Sequence, residues 1–298
     1  MYDDSLHATD TPTSIFTPGK RRRLNGFAVA INAVVPVIVF TVLFYVMSFE
    51  YHYERPMLTY AIVLLALLIA LCINLYARAI RSRDREATWY NFAAVAIAAA
   101  VIASTVAGYL NFWYNMQPYY DVDNLNTYPS VDPSVQRGVE VMDAGRVYFR
   151  SGTRLDPTKS MGFKNLDLYC VAPIIVEDAP SMVYDFWAVG INCCSGQTPD
   201  FRCGQYANPR ARSGLRLMRE DQRAFYRLAV QQAEAAYKIT ASHPVFFYWL
   251  QDPVAEMESW KEKGRRNFMI GVLACSVFNL FAVICATIGF SKIGRFTW

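Results

Sequence analysis

The chain has 298 residues, an apolar fraction of 54%, a charged fraction of 18% and a formal net charge of +4. Charge is thin against the ~25% of ordinary soluble domains, and +4 without a concentrated basic patch points away from nucleic acid. The apolar residues gather in blocks free of Asp, Glu, Lys and Arg, which points away from a soluble globular chain.

Residues 1–23 open with Asp, Ser, Thr and Pro and read as a disordered cytoplasmic tail ending in the basic run Lys20-Arg21-Arg22-Arg23. Apolar blocks follow at about Phe27–Phe49, Met57–Ala77, Tyr90–Trp113 and Phe268–Phe290. Each is long enough to cross a hydrocarbon core of ~30 Å. The third is rich in Ala, with Gly108 near its end, and small residues let helices approach closely, so it is expected inside the bundle. Asn32, Asn74 and Asn279 are the polar outliers within the blocks and are expected to hydrogen-bond across helices. Cys72 and Cys285 read as buried small hydrophobes.

Orientation follows from loop basicity. Lys20–Arg23, then Arg78, Arg81, Arg83 and Arg85, then Lys292 and Arg295 put both termini and the second link on the cytoplasmic side. Lys261, Lys263, Arg265 and Arg266, just before the fourth block, oppose this, but long loops translocate despite their charge. The segment 114–266 then faces an extracellular or lumenal space, with 24–113 and 267–298 carrying the four transmembrane helices.

Within the outer segment, Gln117–Pro133 and Thr153–Phe163 read as loops, and Val139–Met142 and Val147–Phe149 as short strands. Leu168–Val176 and Met182–Asn192 are the strongest strand signals and, across Glu177-Asp178-Ala179-Pro180, make a natural antiparallel hairpin. Pro173 implies an edge strand. Gly214–Ile239 reads as an amphipathic helix burying Met218, Phe225, Leu228, Ala229, Ala235, Ala236 and Ile239. Pro244–Leu250 is too short to span and is expected to complete the outer core. Asp252-Pro253 starts a helix that runs on into the fourth block. The fold class is thus an α-helical membrane protein: four transmembrane helices with a large α+β, disulfide-stapled outer domain between the third and fourth.

The chemistry-bearing residues are Cys170, Cys193, Cys194 and Cys203, an even set outside the apolar blocks, which implies disulfides and an oxidising compartment. Vicinal cysteines do not readily bond each other, so Cys193 and Cys194 reach to Cys170 and Cys203. Of the two pairings left, Cys170–Cys193 with Cys194–Cys203 is preferred, because adjacent strand residues face opposite ways. A zinc site made of the four is the alternative, but the spacing lacks paired C-x2-C knuckles. His7, His52 and His243 lie far apart in sequence, and there is no P-loop, GxSxG, HExxH or CxxC. No catalytic residue, cofactor, metal or small-molecule substrate is expected.

The layout of four helices, a tiny first outer loop and a large second one resembles the tetraspanins. Asn32 in the first helix and Cys193-Cys194-Ser195-Gly196 resemble the polar position and the Cys-Cys-Gly signature of that family, here with Ser inserted. The resemblance implies a non-enzymatic scaffold or adaptor. Such a protein associates laterally with other integral membrane proteins or like subunits among membrane lipids, and presents its stapled domain to a protein partner. The alternative is an accessory or pore-lining subunit of a transporter or channel, with a path along Asn32, Asn74 and Asn279.

Overall fold

A computed structural model describes residues 26–81, 88–177, 183–196 and 198–292. The tail 1–23, the basic residues Lys20–Arg23, Arg83, Arg85 and Arg295 on which the expected orientation rests, and the link Asp178-Ala179-Pro180 lie outside the described residues. The chain divides into two compact units, residues 1–112 with 264–298, and residues 113–263.

The first unit is helical. Its elements are α1 (Gly26–Ser48), the single turn and a half α2 (Glu50–Glu54), α3 (Pro56–Arg81), α4 (Thr88–Asn111) and the C-terminal part of α7 (Pro253–Lys292). Among the described residues, four helical runs are long and apolar enough to cross a membrane: Gly26–Ser48, Pro56–Ile80, Thr88–Asp123 and Pro253–Phe290. A helix satisfies its own backbone groups, which is what an apolar segment requires. The hydroxyls inside these helices do the same locally: Thr41, Thr105, Ser276 and Thr287 each donate to the carbonyl four residues back, at 2.7–2.8 Å.

Packing in this unit centres on α4, as its alanines imply. Leu43 and Met47 of α1 and Val63 and Ala70 of α3 meet Ile97 and Val101 of α4. Phe40 and Phe44 pack with Ala100 and, on α7, with Phe268 and Val272. A close approach falls at Gly108, where a Cβ would collide with the Cβ of Met47 and stand 3.4 Å from the carbonyl oxygen of Phe44. Cys72 and Cys285, expected to be buried, are instead exposed on the helix surfaces.

The second unit is built on an eight-stranded mixed sheet. Its strands are β1 (Asn126–Val131), β2 (Ala144–Phe149), β3 (Thr153–Leu155), β4 (Met161–Asn165), β5 (Asp167–Val176), β6 (Phe186–Ile191), β7 (Ser213–Arg216) and β8 (Val245–Leu250). The order is β1-β2-β7-β8-β6-β5-β3, with β4 also on β5. The β1–β2 and β6–β8 pairs are parallel and the others antiparallel. A helix, α6 (Glu220–Tyr237), covers one face.

Strand alternation sorts the central residues cleanly onto the two faces. Cys170, Ala172 and Ile174 of β5, Phe186 and Ala188 of β6, and Val245, Phe247 and Trp249 of β8 line one core with Val147, Phe149, Phe201 and Ala211. Tyr169 and Val171, Trp187 and Val189, and Phe246 line the other, under Tyr226, Ala229, Val230 and Ala233 of α6. The aromatic run Val245–Leu250 is therefore a buried strand of the sheet, completing the core as its composition implies.

Several local expectations are corrected. Gln117–Pro133 is not a loop: it contains α5 (Gln117–Asp123) and the edge strand β1, with Pro129 inside that edge. Thr153–Phe163 holds β3, a 3-10 turn (Pro157–Lys159) and β4, and Gly138–Val141 is a 3-10 turn rather than a strand. The strand expected at Met182–Asn192 is the shorter β6, Phe186–Ile191. β5 is interior rather than an edge, because β4 pairs Asp167–Val171 and β3 pairs Ile174–Val176 on its outer side. Pro173 falls in the gap between those two short strands, where its missing N–H breaks no ladder bond, while its carbonyl accepts from the Asp156 N–H at 2.9 Å. Residues 214–216 belong to β7, and α6 starts at Glu220 with a buried face of Tyr226, Ala229, Val230 and Ala233; Leu228, Ala235 and Ala236 are exposed. α7 begins as expected, with the Asp252 carboxylate accepting from the N–H groups of Val254 (3.0 Å) and Ala255 (3.1 Å).

The Gly108 contact gives a direct test. Gly108→Val forces the α1–α4 backbones apart and is expected to destabilise the helical unit by about 1–3 kcal/mol, read as a lowered thermal midpoint of the full chain in detergent. Val106→Ala, two residues away on an exposed face of the same helix, is expected to leave that midpoint within about 0.5 kcal/mol.

Candidate functional site

The feature that singles out one end of the sheet is its pair of disulfides, Cys170–Cys194 and Cys193–Cys203. The four cysteines are bonded to one another as a set, and the vicinal pair is not bonded to itself. The preferred pairing, however, is corrected: Cys170 takes Cys194, and Cys193 takes Cys203. That preference assumed that Cys193 and Cys194 sit on a strand, but β6 ends at Ile191 and Asn192 adopts a left-handed conformation, φ +58°. Asn is one of the few residues that visit this region readily.

The left-handed turn is locked by the side chain that makes it. The Asn192 Oδ1 accepts from the Leu168 N–H at 2.9 Å, its Nδ2 donates to the Asp167 carboxylate at 2.9 Å, and its own N–H donates to the Leu168 carbonyl at 2.8 Å. Past this turn Cys193 lies back over Gly190, and its carbonyl accepts from the Arg202 N–H at 2.8 Å, which sets Cys203 beside it. A Cβ on Gly190 would stand 2.5 Å from the Cys203 Cβ and 2.6 Å from both sulfurs of that bridge. On the other neighbour of Cys170, a Cβ on Gly162 would stand 2.9 Å from the Cys194 sulfur. Cys170 is thus flanked in the sheet by two glycines, Gly190 and Gly162, and the bridges occupy the space they leave.

The loop after the cysteines is braced as well. Asp200 accepts from the Ser195 N–H at 2.8 Å and the Ser195 hydroxyl at 3.1 Å. The bond from the Ser195 N–H holds its carboxyl below the usual range. The sulfurs of Cys170, Cys193 and Cys203 lie within 4.8 Å of one another, but all three are in disulfides and offer no thiolate to a metal.

What this end presents is Leu166. It is the single residue between β4 and β5, it is 93% exposed, and it too is left-handed, φ +59°. A leucine gains nothing locally from that conformation; for a residue with a Cβ it costs roughly 1–2 kcal/mol. The disulfides and Asn192 hold the hairpin that imposes it. Sequence reasoning missed Leu166, because a lone leucine in a polar stretch carries no signal until its backbone angle and exposure are known.

A second concave feature of the same unit is a groove of about 900 Å3 lined by Trp113, Tyr114, Met218, Tyr248, Leu250 and Trp260. At its rim Arg219 pairs with Asp221 through two bonds of 3.0 and 2.8 Å and lies over the Trp113 ring at 5.5 Å.

The polar candidates within the apolar helices divide. The Asn279 Nδ2 donates to the carbonyls of Asn32 (3.1 Å) and Ala33 (2.9 Å), tying α7 to α1. Asn32 itself is 3% exposed, donates to the Ala28 carbonyl at 2.8 Å, and leaves its Oδ1 buried without a partner. Asn74 is half-buried on α3 and makes no cross-helix bond among the described residues. Asn111, at the end of the Ala-rich helix, was not singled out from sequence, yet its Nδ2 donates to the Gly264 carbonyl at 3.1 Å and its Oδ1 accepts from Asn267 at 3.4 Å.

Comparison with protein-family models, with curated proteins and with solved structures finds no match to any of them. The four apolar helices and the bridged loop fit a tetraspanin-like layout in outline alone.

Peptide mapping without reduction is expected to yield Cys170–Cys194 and Cys193–Cys203 and no Cys193–Cys194 peptide. The double variant Cys193→Ser/Cys203→Ser, which opens a 10-residue separation, is expected to lose on the order of 3 kcal/mol of stability.

Proposed function

We propose that the chain is a four-span membrane scaffold or adaptor whose stapled domain recognises a protein partner through the hairpin tip at Leu166. The observation behind the reading is a conflict between local preference and outcome. An exposed leucine is held left-handed at a point braced by two disulfides and by Asn192. Strain of this kind persists where the surroundings over-determine it, and it is characteristic of binding and clamp positions. A rigid apolar anchor also reduces the ordering cost of association.

Disulfides persist in oxidising compartments, so the domain is assigned to the extracellular or lumenal side, with both termini in the cytoplasm. The likeness to tetraspanins supports this reading at the level of layout. The Ala-rich face of α4 and the Asn279 amide are already used inside the helical unit. Lateral partners are therefore assigned to the outward face of α3, where Leu64, Leu65, Leu68 and Leu71 are exposed. A transport path along Asn32, Asn74 and Asn279 has less behind it, since the Asn279 donors are spent on backbone carbonyls. No catalytic activity is proposed.

The test separates strain from recognition. Leu166→Gly removes the Cβ clash and is expected to leave stability unchanged or to raise it by up to about 1 kcal/mol. A photo-crosslinking residue at position 166 of the full chain, in its own membrane, is expected to give a discrete adduct that one at exposed Arg210 does not. The same adduct, probed from a crosslinker at Lys164, is expected to weaken at least tenfold in the Leu166→Gly background. Equal yield from positions 166 and 210, or an unweakened adduct in Leu166→Gly, removes the assignment of the tip as the recognition point.

A further inference from the structure

A small cavity of about 150 Å3 lies at the other side of the same unit, between the end of β7, the middle of α6 and the turn that enters β8. That is roughly ten times the ~10–15 Å3 that one water needs, enough for a tetrahedral ion with its remaining waters. Its polar walls are Arg216, Arg223, Arg227, Ser242 and His243, and its lining contains no Asp or Glu.

Each cation is placed by the fold. Arg216 is the last residue of β7, with its guanidinium 5.7 Å from the Phe247 ring centre. Arg223 and Arg227 are one turn apart on α6 and therefore share a face. Two walls are fixed by one buried carboxylate, Asp185, 1% exposed. It accepts from the His243 N–H at 2.9 Å, which sets the Ser242-His243 turn, and from the Gly138 N–H at 3.0 Å, which sets the 3-10 turn leading to Met142.

The charges in this lining are only partly neutralised. Arg223 has one partner, the exposed Glu220, at 3.1 Å. Neither Arg216 nor Arg227 pairs with a carboxylate among the described residues. Asp143, whose field reaches Arg216, is occupied by Asn126 and Tyr128. The Arg216 Nη1 is buried without any hydrogen-bond partner. Burial first, and then the like charge of Arg223, push the Arg216 guanidinium down to about 10. Arg216 thus has a buried guanidinium nitrogen with no acceptor and lines, with Arg223 and Arg227, a cavity closed on its apolar side by Met142, Pro244, Val245 and Phe246; such a nitrogen is short of an anion, and forked donors match tetrahedral oxyanions best.

We infer that this cavity is a binding site for a phosphate-type dianion, held by Arg216, Arg223 and Arg227 with the Ser242 hydroxyl. The group is either a free phosphate or the phosphomonoester of a lipid headgroup. No other part of the proposed function is needed for it.

The experiment titrates inorganic phosphate into the full chain in detergent, following the thermal midpoint and the heat of binding, with sodium chloride at equal ionic strength as the control. A saturable rise with phosphate and none with chloride is expected. Arg227→Gln, exposed and outside the core, is expected to keep its fold and to weaken phosphate about tenfold. Arg216→Met is expected to raise the midpoint in the absence of phosphate and to abolish the response to it, since it removes an unpaired buried charge. A parallel arm compares the chain in nanodiscs of phosphatidylcholine with and without phosphatidic acid. A response to the free ion assigns the soluble source, and one confined to phosphatidic acid discs that Arg227→Gln abolishes assigns the headgroup. Absence of both responses, or a phosphate response that survives Arg216→Met and Arg227→Gln, overturns the site.

Discussion

Neighbouring cysteines cannot close on each other without distorting disulfide geometry, and the architecture of the stapled end follows from that restriction. Cys193 and Cys194 must part, and the chain parts them by ending β6 at Ile191 and turning left-handed at Asn192. One sulfur then folds back across Gly190 to Cys203 and the other reaches Cys170 beside Gly162. Both glycines stand where a side chain would collide with a bridge. The β5 arm of the β4–β5 turn is consequently tied to this end, through Cys170 and through the Asn192 bonds to Asp167 and Leu168, beside the left-handed Leu166.

Much of this is legible in the residues alone, and the reasons differ by element. The apolar helices are plain because a run of about twenty residues without charge matches the thickness of a hydrocarbon core and little else. The run Val245–Leu250 is readable because six large apolar residues in a small domain have nowhere else to go. Helix α7 is readable from a cap and a proline, both local signals. What stays hidden is non-local. Pro173 misleads because a missing N–H marks an edge only where the strand has one continuous neighbour, and β5 has two short ones with a gap between them. Gly214–Arg216 reads as the start of the helix because three residues cannot show an alternation, and their strand identity comes from Trp249, Tyr248 and Phe247 across the ladder. The disulfide pairing turns on one dihedral angle at Asn192, which no pattern of residue types records.

The two units handle polar groups differently. In the helices, side-chain amides and hydroxyls return to backbone carbonyls: Thr41, Thr105, Ser276 and Thr287 within a turn, Asn279 across to α1, and Asn111 to Gly264. These bonds satisfy polar groups inside apolar helices without calling on water. In the sheet unit, carboxylates organise loops by collecting backbone N–H groups, as Asp185 does for Gly138 and His243 and Asp200 does for Ser195. The same device braces the loop beyond the cysteines and sets two walls of the cationic cavity.

Among the described residues, the buried side-chain atoms left without a partner are Asn32 Oδ1, Ser48 Oγ, Thr153 Oγ1, Arg216 Nη1 and Tyr226 Oη. Four belong to neutral groups, for which an unmade bond costs about 1–3 kcal/mol. Tyr226 carries no charge at neutral pH in any case, and burial within the α6 core pushes its hydroxyl further above the ordinary range. A guanidinium has no such escape, since even at about 10 it remains charged at neutral pH. Uncompensated buried charge is among the most destabilising arrangements a fold can hold. It is also an arrangement that an arriving counter-charge improves, because the ion supplies the acceptor the guanidinium nitrogen lacks. That asymmetry separates Arg216 from the other four, and it is why an orphaned nitrogen beside a carboxylate-free cavity carries information about a ligand where an orphaned hydroxyl in a packed core does not.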